Sequence, residues 1–342
     1  MMPACLLAPA PPAGLGPGAV PSFSVVIPAY GVSAYVADAV RSALDQTVAA
    51  VDVVVVDDGS PDDVVAPLAP YRDRITLVRQ TNQGPGAAKL AGARAAHGEF
   101  VALLDGDDTY LPERLERLGR AAAERPDLDI LVTDAHVELD GRRLRRAYDD
   151  TWTFVADDQR RGILERCFVL GHAAVRRSAL LGLEAIERDT VDDWDCWARL
   201  ILRGARAGLV DEPLSVYRVR PGSLSTARLS TLRRGVRTLE LLRDEPSLTA
   251  AELVVLESTR AAWTRSFTVE SARAALQEGR RGEARRLLLA VARDGANDRS
   301  SRVKALASLA APRLAEHLLD RRRRRAWTGA AGVRVVATQS LG

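Results

Sequence analysis

The chain is short of aromatic residues, of cysteine and of long uncharged apolar runs, and each shortage closes off a class of function. Phe, Trp and Tyr make up 5% of its 342 residues. No stripe of basic and aromatic side chains appears, so the stacking platforms that hold single-stranded nucleic acid are missing. The net charge of +3 is too small to argue for a polyanionic partner, and no nucleic acid is expected. Cysteine occurs at Cys5, Cys167 and Cys196 only. That odd number and spacing suit neither a zinc site nor a disulfide framework, and a reducing, cytoplasmic setting is the simplest. No uncharged apolar stretch reaches the ~18 residues that a membrane span needs. No Lys or Arg precedes Arg41. Residues 1–21, rich in Pro, Ala and Gly, therefore lack the basic start of a signal peptide. Their prolines also break a continuous apolar helix, and they read as a flexible tail.

What is present is alternation. At 47% hydrophobic the composition is globular, and the length allows two domains of roughly 150 residues. Phe23 to Pro28 reads as a β-branched strand stopped by proline, and helical spacing carries Val36 to about Gln46. Val51 to Val56 is nearly all valine, which suits a parallel strand covered on both faces. A short helical stretch around Leu68, a strand at Ile75–Val78, a small-residue helix from Gly84 to Ala96 and a strand at Phe100–Leu104 follow. Further strands are read at Ile130–Thr133, Phe168–Val175 and Val210–Val219. Residues 140–160 read as a loop or hairpin. A short helix falls near Arg177–Leu183, and another runs from Asp192 to about Arg203. Strand and helix in turn imply right-handed βαβ units in an α/β, mostly parallel sheet flanked by helices. Ligands bind beyond the carboxyl ends of such strands. Pro28-Ala29-Tyr30, Asp57-Asp58 and Asp105-Gly106-Asp107-Asp108 all fall there. A Rossmann dehydrogenase would need G-x-G-x-x-G after the first strand, and Ala29 to Ser33 does not supply it; no Walker P-loop is present either.

Asp105-Gly106-Asp107-Asp108 crowds three carboxylates at a strand end. Like charges this close need a cation or hydrogen-bond donors, and hard oxygen ligands suit Mg²⁺ or Mn²⁺. A D-x-D-D run is also compatible with a solvated acidic turn. Asp192-Asp193 opens a helix, where two acids complement the dipole.

These segments resemble the inverting family 2 glycosyltransferases of the GT-A fold. The resemblance rests on Val25-Val26-Ile27-Pro28-Ala29-Tyr30, Val54-Val55-Val56-Asp57-Asp58-Gly59-Ser60, Asn82-Gln83-Gly84-Pro85-Gly86-Ala87-Ala88-Lys89, Gly98-Glu99-Phe100 through Asp108, Asp192-Asp193-Trp194, and Tyr217-Arg218. It implies a UDP-, GDP- or dTDP-sugar donor on the rim and a glycan or lipid-linked acceptor. Pro28 and Tyr30 would line the nucleoside pocket, Asp58 would accept a hydrogen bond from the base with Asp57 nearby, and Asp105 would sit near the ribose. Asp107 would hold Mg²⁺ or Mn²⁺ on the diphosphate, with Asp105 and Asp108 as further metal ligands. Asp193 would be the general base and Asp192 would orient the site. As an exposed carboxylate with a pKa near the ordinary ~3.9, Asp193 would depend on placement for its effect. Trp194 offers a face for a sugar ring or a core tryptophan; Arg218 and Arg220 approach the diphosphate or are surface arginines.

Three departures qualify the resemblance. Lys89 stands where the family often has Arg, so a diphosphate contact there would be a point charge. The usual Glu-Asp pair is Asp192-Asp193. The Gln-x-x-Arg-Trp motif of processive synthases is absent from the expected region, which favours transfer of a single sugar.

The last third changes character, with Ala, Leu, Arg and Glu in place of strand formers. Leu232 to Leu242 suggests one helix and Leu253 to Leu256 a second. Ala272–Gln277, Gly279 and Ala284–Ala292 read as helix, turn and helix, without the repeats a solenoid needs. Arg321–Arg325 either ends a helix or meets anionic lipid headgroups, which would place the protein peripherally on the inner membrane face. The expected division is a tail at 1–21, a GT-A domain at 22–225, an α-helical accessory domain at 226–325 and a tail at 326–342. The alternative function is a non-catalytic nucleotide-sugar-binding scaffold or sensor acting through its helices. A sugar nucleotidyltransferase would carry a Gly-rich, basic loop after the first strand, which Ala29–Ser33 is not.

Overall fold

The computed structural model describes residues 21–220 and 228–311. The valine-rich segments form β1 (Phe23–Ala29) and β2 (Asp52–Asp57), parallel neighbours with Ala29 opposite Asp57. Successive side chains point to opposite faces of a strand. Val25, Ile27, Val53 and Val55 accordingly enter one core, while Val26, Val54 and Val56 enter the other. This is why nearly every position in these strands is apolar. Helix α1 (Val36–Leu44) covers the first face and α2 (Pro85–Ala95) the second. Strands β3 (Thr76–Arg79) and β4 (Phe100–Leu103) complete a parallel set ordered β3-β2-β1-β4.

Beyond β4 the sheet becomes mixed. The remaining strands are β5 (Thr109–Tyr110), β6 (Ile130–Leu139), β7 (Arg142–Arg146), β8 (Ala174–Arg176) and β9 (Ala207–Val219). β8 is antiparallel to both β4 and β6, β6 is parallel to β9, and β5 and β7 add antiparallel pairs. The parallel expectation thus holds for β3-β2-β1-β4 and again for the β6–β9 pair, while the other pairings are antiparallel, because apolar patterning reports burial and not strand direction. The strand read over Phe168–Val175 shrinks to β8. The Tyr148 hydroxyl donates to the Phe168 carbonyl, and the Trp152 indole donates to that of Cys167. Side chains here satisfy carbonyls that a neighbouring strand would otherwise take. Residues 140–160 do supply a hairpin, β6–β7. The other helices of this region are α3 (Arg114–Glu124), α4 (Gln159–Glu165), α5 (Arg177–Leu181) and α6 (Asp192–Leu202).

Four helices follow: α7 (Arg228–Leu242), α8 (Ala250–Gln277), α9 (Arg281–Arg293) and α10 (Arg299–Ala310). α8 is a single helix of 28 residues, opened by a capping box in which Thr249 and Glu252 satisfy each other's backbone N–H. It joins the segments read separately at Leu253–Leu256 and Ala272–Gln277, since neither Gly nor Pro interrupts it. Gly279, with φ +69°, makes the turn into α9. Leu232, Leu239 and Leu242 of α7 and Leu256 and Trp263 of α8 belong to the same core as Trp194 and Trp197 of α6. The end of α8, α9 and α10 share a second, small core around Leu276, Leu288 and Ala305. Arg321–Arg325, Cys5 and most of both expected tails lie outside the described residues.

Trp263 lies flat over Gly235 of α7, where an added Cβ would stand 2.2 Å from the ring. Gly235→Ala is expected to destabilise the protein by about 1–3 kcal/mol through overpacking. Urea denaturation checks this; an unchanged midpoint would contradict the packing described.

Candidate active site

The ends of β1, β2 and β4 lie side by side, and each delivers polar groups to one rim. Gly106 donates its N–H to the Pro28 carbonyl at 3.2 Å, and a Cβ on Gly106 would come within 3.0 Å of that oxygen. The acidic loop after β4 is therefore seated directly on the end of β1. Tyr30 stands 51% exposed beside it. Asp57 is buried, accepting from the Ser60 N–H at 2.9 Å and from Arg79 Nε at 3.1 Å. Asp58, expected beside a base, is also buried. It accepts from the Gln80 side chain and from the N–H groups of Gln83 and Gly84, each at 2.8 Å. Its part is to hold the loop that leads into α2.

The three acids after β4 have different partners. Asp108 is buried; it accepts from the Arg218 N–H at 2.7 Å and pairs with His172 Nε2 at 2.6 Å. The other ring nitrogen of His172 meets Ser215 Oγ at 3.0 Å. Burial lowers the His172 pKa, but Asp108 and then Asp105 outweigh it and hold the imidazole above its ordinary value. Beneath it, fully buried Arg114 donates to the His172 carbonyl and to Thr133, with its guanidinium 4.5 Å over the Tyr110 ring. Asp107 pairs with Arg220 Nε at 2.6 Å. Arg218 and Arg220 both stand over Tyr35, at 6.0 and 5.6 Å from its centroid. Asp105 is half-buried, and no side chain among the described residues donates to its carboxylate. Burial, only partly opposed by Lys89 and His172 and reinforced by Asp108 and Asp107, pushes its pKa up to about 6.

That arrangement fits a divalent cation. Asp105, Asp108 and His172 bring ligand atoms within 4.8 Å of one another. Two carboxylates with raised pKa values are a site short of positive charge, and carboxylate oxygens suit Mg²⁺ or Mn²⁺. His172 escaped the sequence reading because it lies 64 residues from Asp108 and belongs to no recognisable motif.

The second cluster forms where α6 meets α2. Lys89 is not turned to the rim. It is 2% exposed and bridges Asp192, at 2.8 Å, and Asp193. Asp193 was expected to be exposed with an ordinary pKa; its side chain is only 29% exposed. Burial, opposed by Lys89 and reinforced by Asp192 and Asp105, raises its pKa to about 6. In Asp192 burial is outweighed by Lys89 and by Arg234 of α7, and the pKa is lowered. Two adjacent acids thus have their pKa values driven apart, the pattern of an acid–base site. Gly171 lies against Asp193, where a Cβ would stand 2.7 Å from the carboxylate and would have to displace it. Trp194 is fully buried; its indole donates to the Ile163 carbonyl at 2.6 Å and its ring lies 5.1 Å from that of Trp263. It is a core residue and not a stacking face for a sugar, because the turn of α6 that aims Asp193 outward aims Trp194 inward.

The model of the "Glycosyl transferase family 2" family matches residues 24–182. Those residues are a family 2 glycosyltransferase domain. The chain is 43% identical over 129 residues to the succinoglycan biosynthesis protein ExoO of Rhizobium meliloti, which is 37% of each chain. It is 32% identical over 136 residues to the chondroitin synthase of Escherichia coli, 38% of this chain and 20% of that one. The matched region thus spans 37% of the first relative and 20% of the second. Among solved structures it resembles TarS of S. aureus in complex with UDP, with TM-score 0.55 and 19% identity over 89% of this chain and 92% of that one. It also resembles mannosyltransferase PcManGT of Pyrobaculum calidifontis in complex with GDP-Man and Mn²⁺, with TM-score 0.55 and 17% identity over 94% and 91%. The family 2 domain therefore has the GT-A fold, and the resemblance to these folds continues into the helices beyond residue 182.

Lys89→Met leaves two carboxylates facing each other without their shared cation. Stripping one partner from a buried ion pair costs about 3–5 kcal/mol, and urea denaturation near neutral pH should show a loss of that size. A loss below about 1 kcal/mol would mean that Lys89 is not the counter-ion.

Proposed function

We propose that the rim transfers one sugar from a UDP-, GDP- or dTDP-sugar to an acceptor hydroxyl, with inversion, and that Asp193 is the general base. The observation that carries this reading is the Asp193 carboxylate, half-buried at the edge of the Asp105 cluster with its pKa raised to about 6. A base with a pKa near the working pH combines the correct protonation state with a strong pull on the proton. The acceptor O–H gives its proton to Asp193 as its oxygen bonds to the anomeric carbon. The bond from that carbon to the diphosphate oxygen breaks on the opposite face, and its electrons leave with the nucleoside diphosphate.

Asp107, Asp105 and Asp108, together with His172, would hold Mg²⁺ or Mn²⁺. When bound, such a cation offsets the charge developing on the diphosphate oxygens. Arg218 and Arg220 add fixed positive charge on the same side. Pro28 and Tyr30 face the nucleoside, Asp57 and Asp58 fix the loops around it, and Asp192 holds Lys89 beside the base. The acceptor on this reading is a glycan or a lipid-linked sugar, approaching the base beside Gly171. The domain division at residues 225–226 and a cytoplasmic, membrane-peripheral location belong to the same proposal. No helix among the described residues is long and apolar enough to cross a membrane.

Asp193 must be ionised to accept a proton, so kcat/KM should fall as pH drops through about 6. Asp193→Asn should lose about 10²–10⁴-fold in kcat, and full activity in that variant would remove the base assignment. Donor choice is read by thermal denaturation with a panel of nucleotide sugars and Mn²⁺; a donor at 100 times its Kd adds about 2.7 kcal/mol. Asp107→Ala should abolish the Mn²⁺-dependent part of that gain. Stabilisation by a donor without turnover of any acceptor would instead favour the non-catalytic scaffold.

A further inference from the structure

Helix α7 reaches Asp192, the neighbour of the candidate base. Arg234, on the buried face of α7, is 11% exposed at its side chain. Its Nε donates to the Thr190 carbonyl at 2.5 Å, and its Nη2 meets Asp192 Oδ1 at 3.3 Å. One turn on, Thr238 Oγ1 accepts the Val191 N–H at 3.0 Å. Val191 is the residue before α6, and its N–H is a group that the helix itself leaves unpaired. Just beyond α7, buried Glu245 takes Arg199 and Arg203 from the other end of α6, at 3.3 and 2.8 Å. α6 is thus held at both ends by one helix and the turn after it.

The charges at the first of those ends form a chain. Arg234 contacts Asp192, Asp192 contacts Lys89, and Lys89 contacts Asp193. With Arg234 the four groups are neutral overall; without it they carry a net negative charge in a buried setting, where interactions are poorly screened. The groups that face Asp193 are Lys89 from α2, Asp192 and Cys196 from α6, Asp105 from the loop after β4, and Cys167 from the segment before β8. Among these described groups the cation is Lys89, and Arg234 is the second cation on Asp192.

We infer that Arg234 is a positioning residue for the Asp192–Asp193 pair, by which the C-terminal helices set the charge state and placement of the base. The inference rests on the proposed role of Asp193 but makes a claim that needs no turnover. If Arg234 is removed, Asp192 draws more strongly on Lys89, Lys89 shields Asp193 less, and the Asp193 carboxyl becomes harder to ionise.

The test is a carboxyl ¹³C NMR titration of the full chain, with the Asp193 signal assigned by its loss in Asp193→Asn. Arg234→Met and Arg234→Gln should each raise the Asp193 midpoint by about half a pH unit or more; the glutamine variant can still donate to the Thr190 carbonyl and guards against a failure to fold. Arg234→Lys, which keeps the charge, should return the midpoint to near the parent value. Arg237→Met, on the exposed side of α7, should leave it unchanged. An unmoved midpoint in a folded Arg234→Gln protein, or equal shifts in the lysine and glutamine variants, would overturn the inference whatever the protein catalyses. Where a donor and acceptor support turnover, the acid limb of kcat/KM should move with the NMR midpoint. A midpoint that moves while the limb stays would leave the coupling intact and sink Asp193 as base, which separates the two claims.

Discussion

A buried ammonium between two carboxylates is the constraint on which this site depends. Lys89 sits on α2, a helix set by its packing on β1 and β2, while Asp192 and Asp193 open α6, 103 residues further along. Neither helix can shift without exposing an unpaired charge, and an unpaired buried charge costs several kcal/mol. The pair of contacts therefore registers α2, packed on β1 and β2, against the helix that carries Asp193. It also divides the two acids: Asp192, which also has Arg234, is held ionised, whereas Asp193 is left with a raised pKa.

The same logic runs through the acidic loop. Asp105, Asp107 and Asp108 are close in sequence but differ in their partners: Asp107 meets Arg220, Asp108 meets His172, and Asp105 has no side-chain donor among the described residues. Asp108 and His172 are tied down by Arg218, Ser215 and the layer of Arg114 and Thr133 beneath. Among the described residues Asp105 is the acid of the three without a side-chain donor, and it stands beside a histidine whose charge its neighbours favour. Rigid supports and one unsatisfied carboxylate are what a site for a hard cation and a diphosphate requires.

Much of the fold was legible because its strands are extreme. A run such as Val53 to Val56 has few alternatives to a doubly covered parallel strand, and the residues after β1, β2 and β4 lie at neighbouring strand ends as their order along the chain implied. Strand direction past β4 was not legible, since β8 has only three residues and the carbonyls of Cys167 and Phe168 upstream of it are taken by Trp152 and Tyr148. The single long α8 was read as pieces because its apolar residues follow no clean stripe.

The sequence by itself determined the class of the domain and the identity of the acids at the strand ends, because both are written in contiguous residues with period and spacing. Tertiary structure decided what those acids do. Lys89 turned inward to Asp192 and Asp193, Trp194 went to the core, and His172 and Arg234 entered the site from segments without a motif. The reason is that a carboxylate's chemistry is set by burial and by the charges within a few ångströms of it. Those neighbours come from elements far apart along the chain, and only packing brings them together.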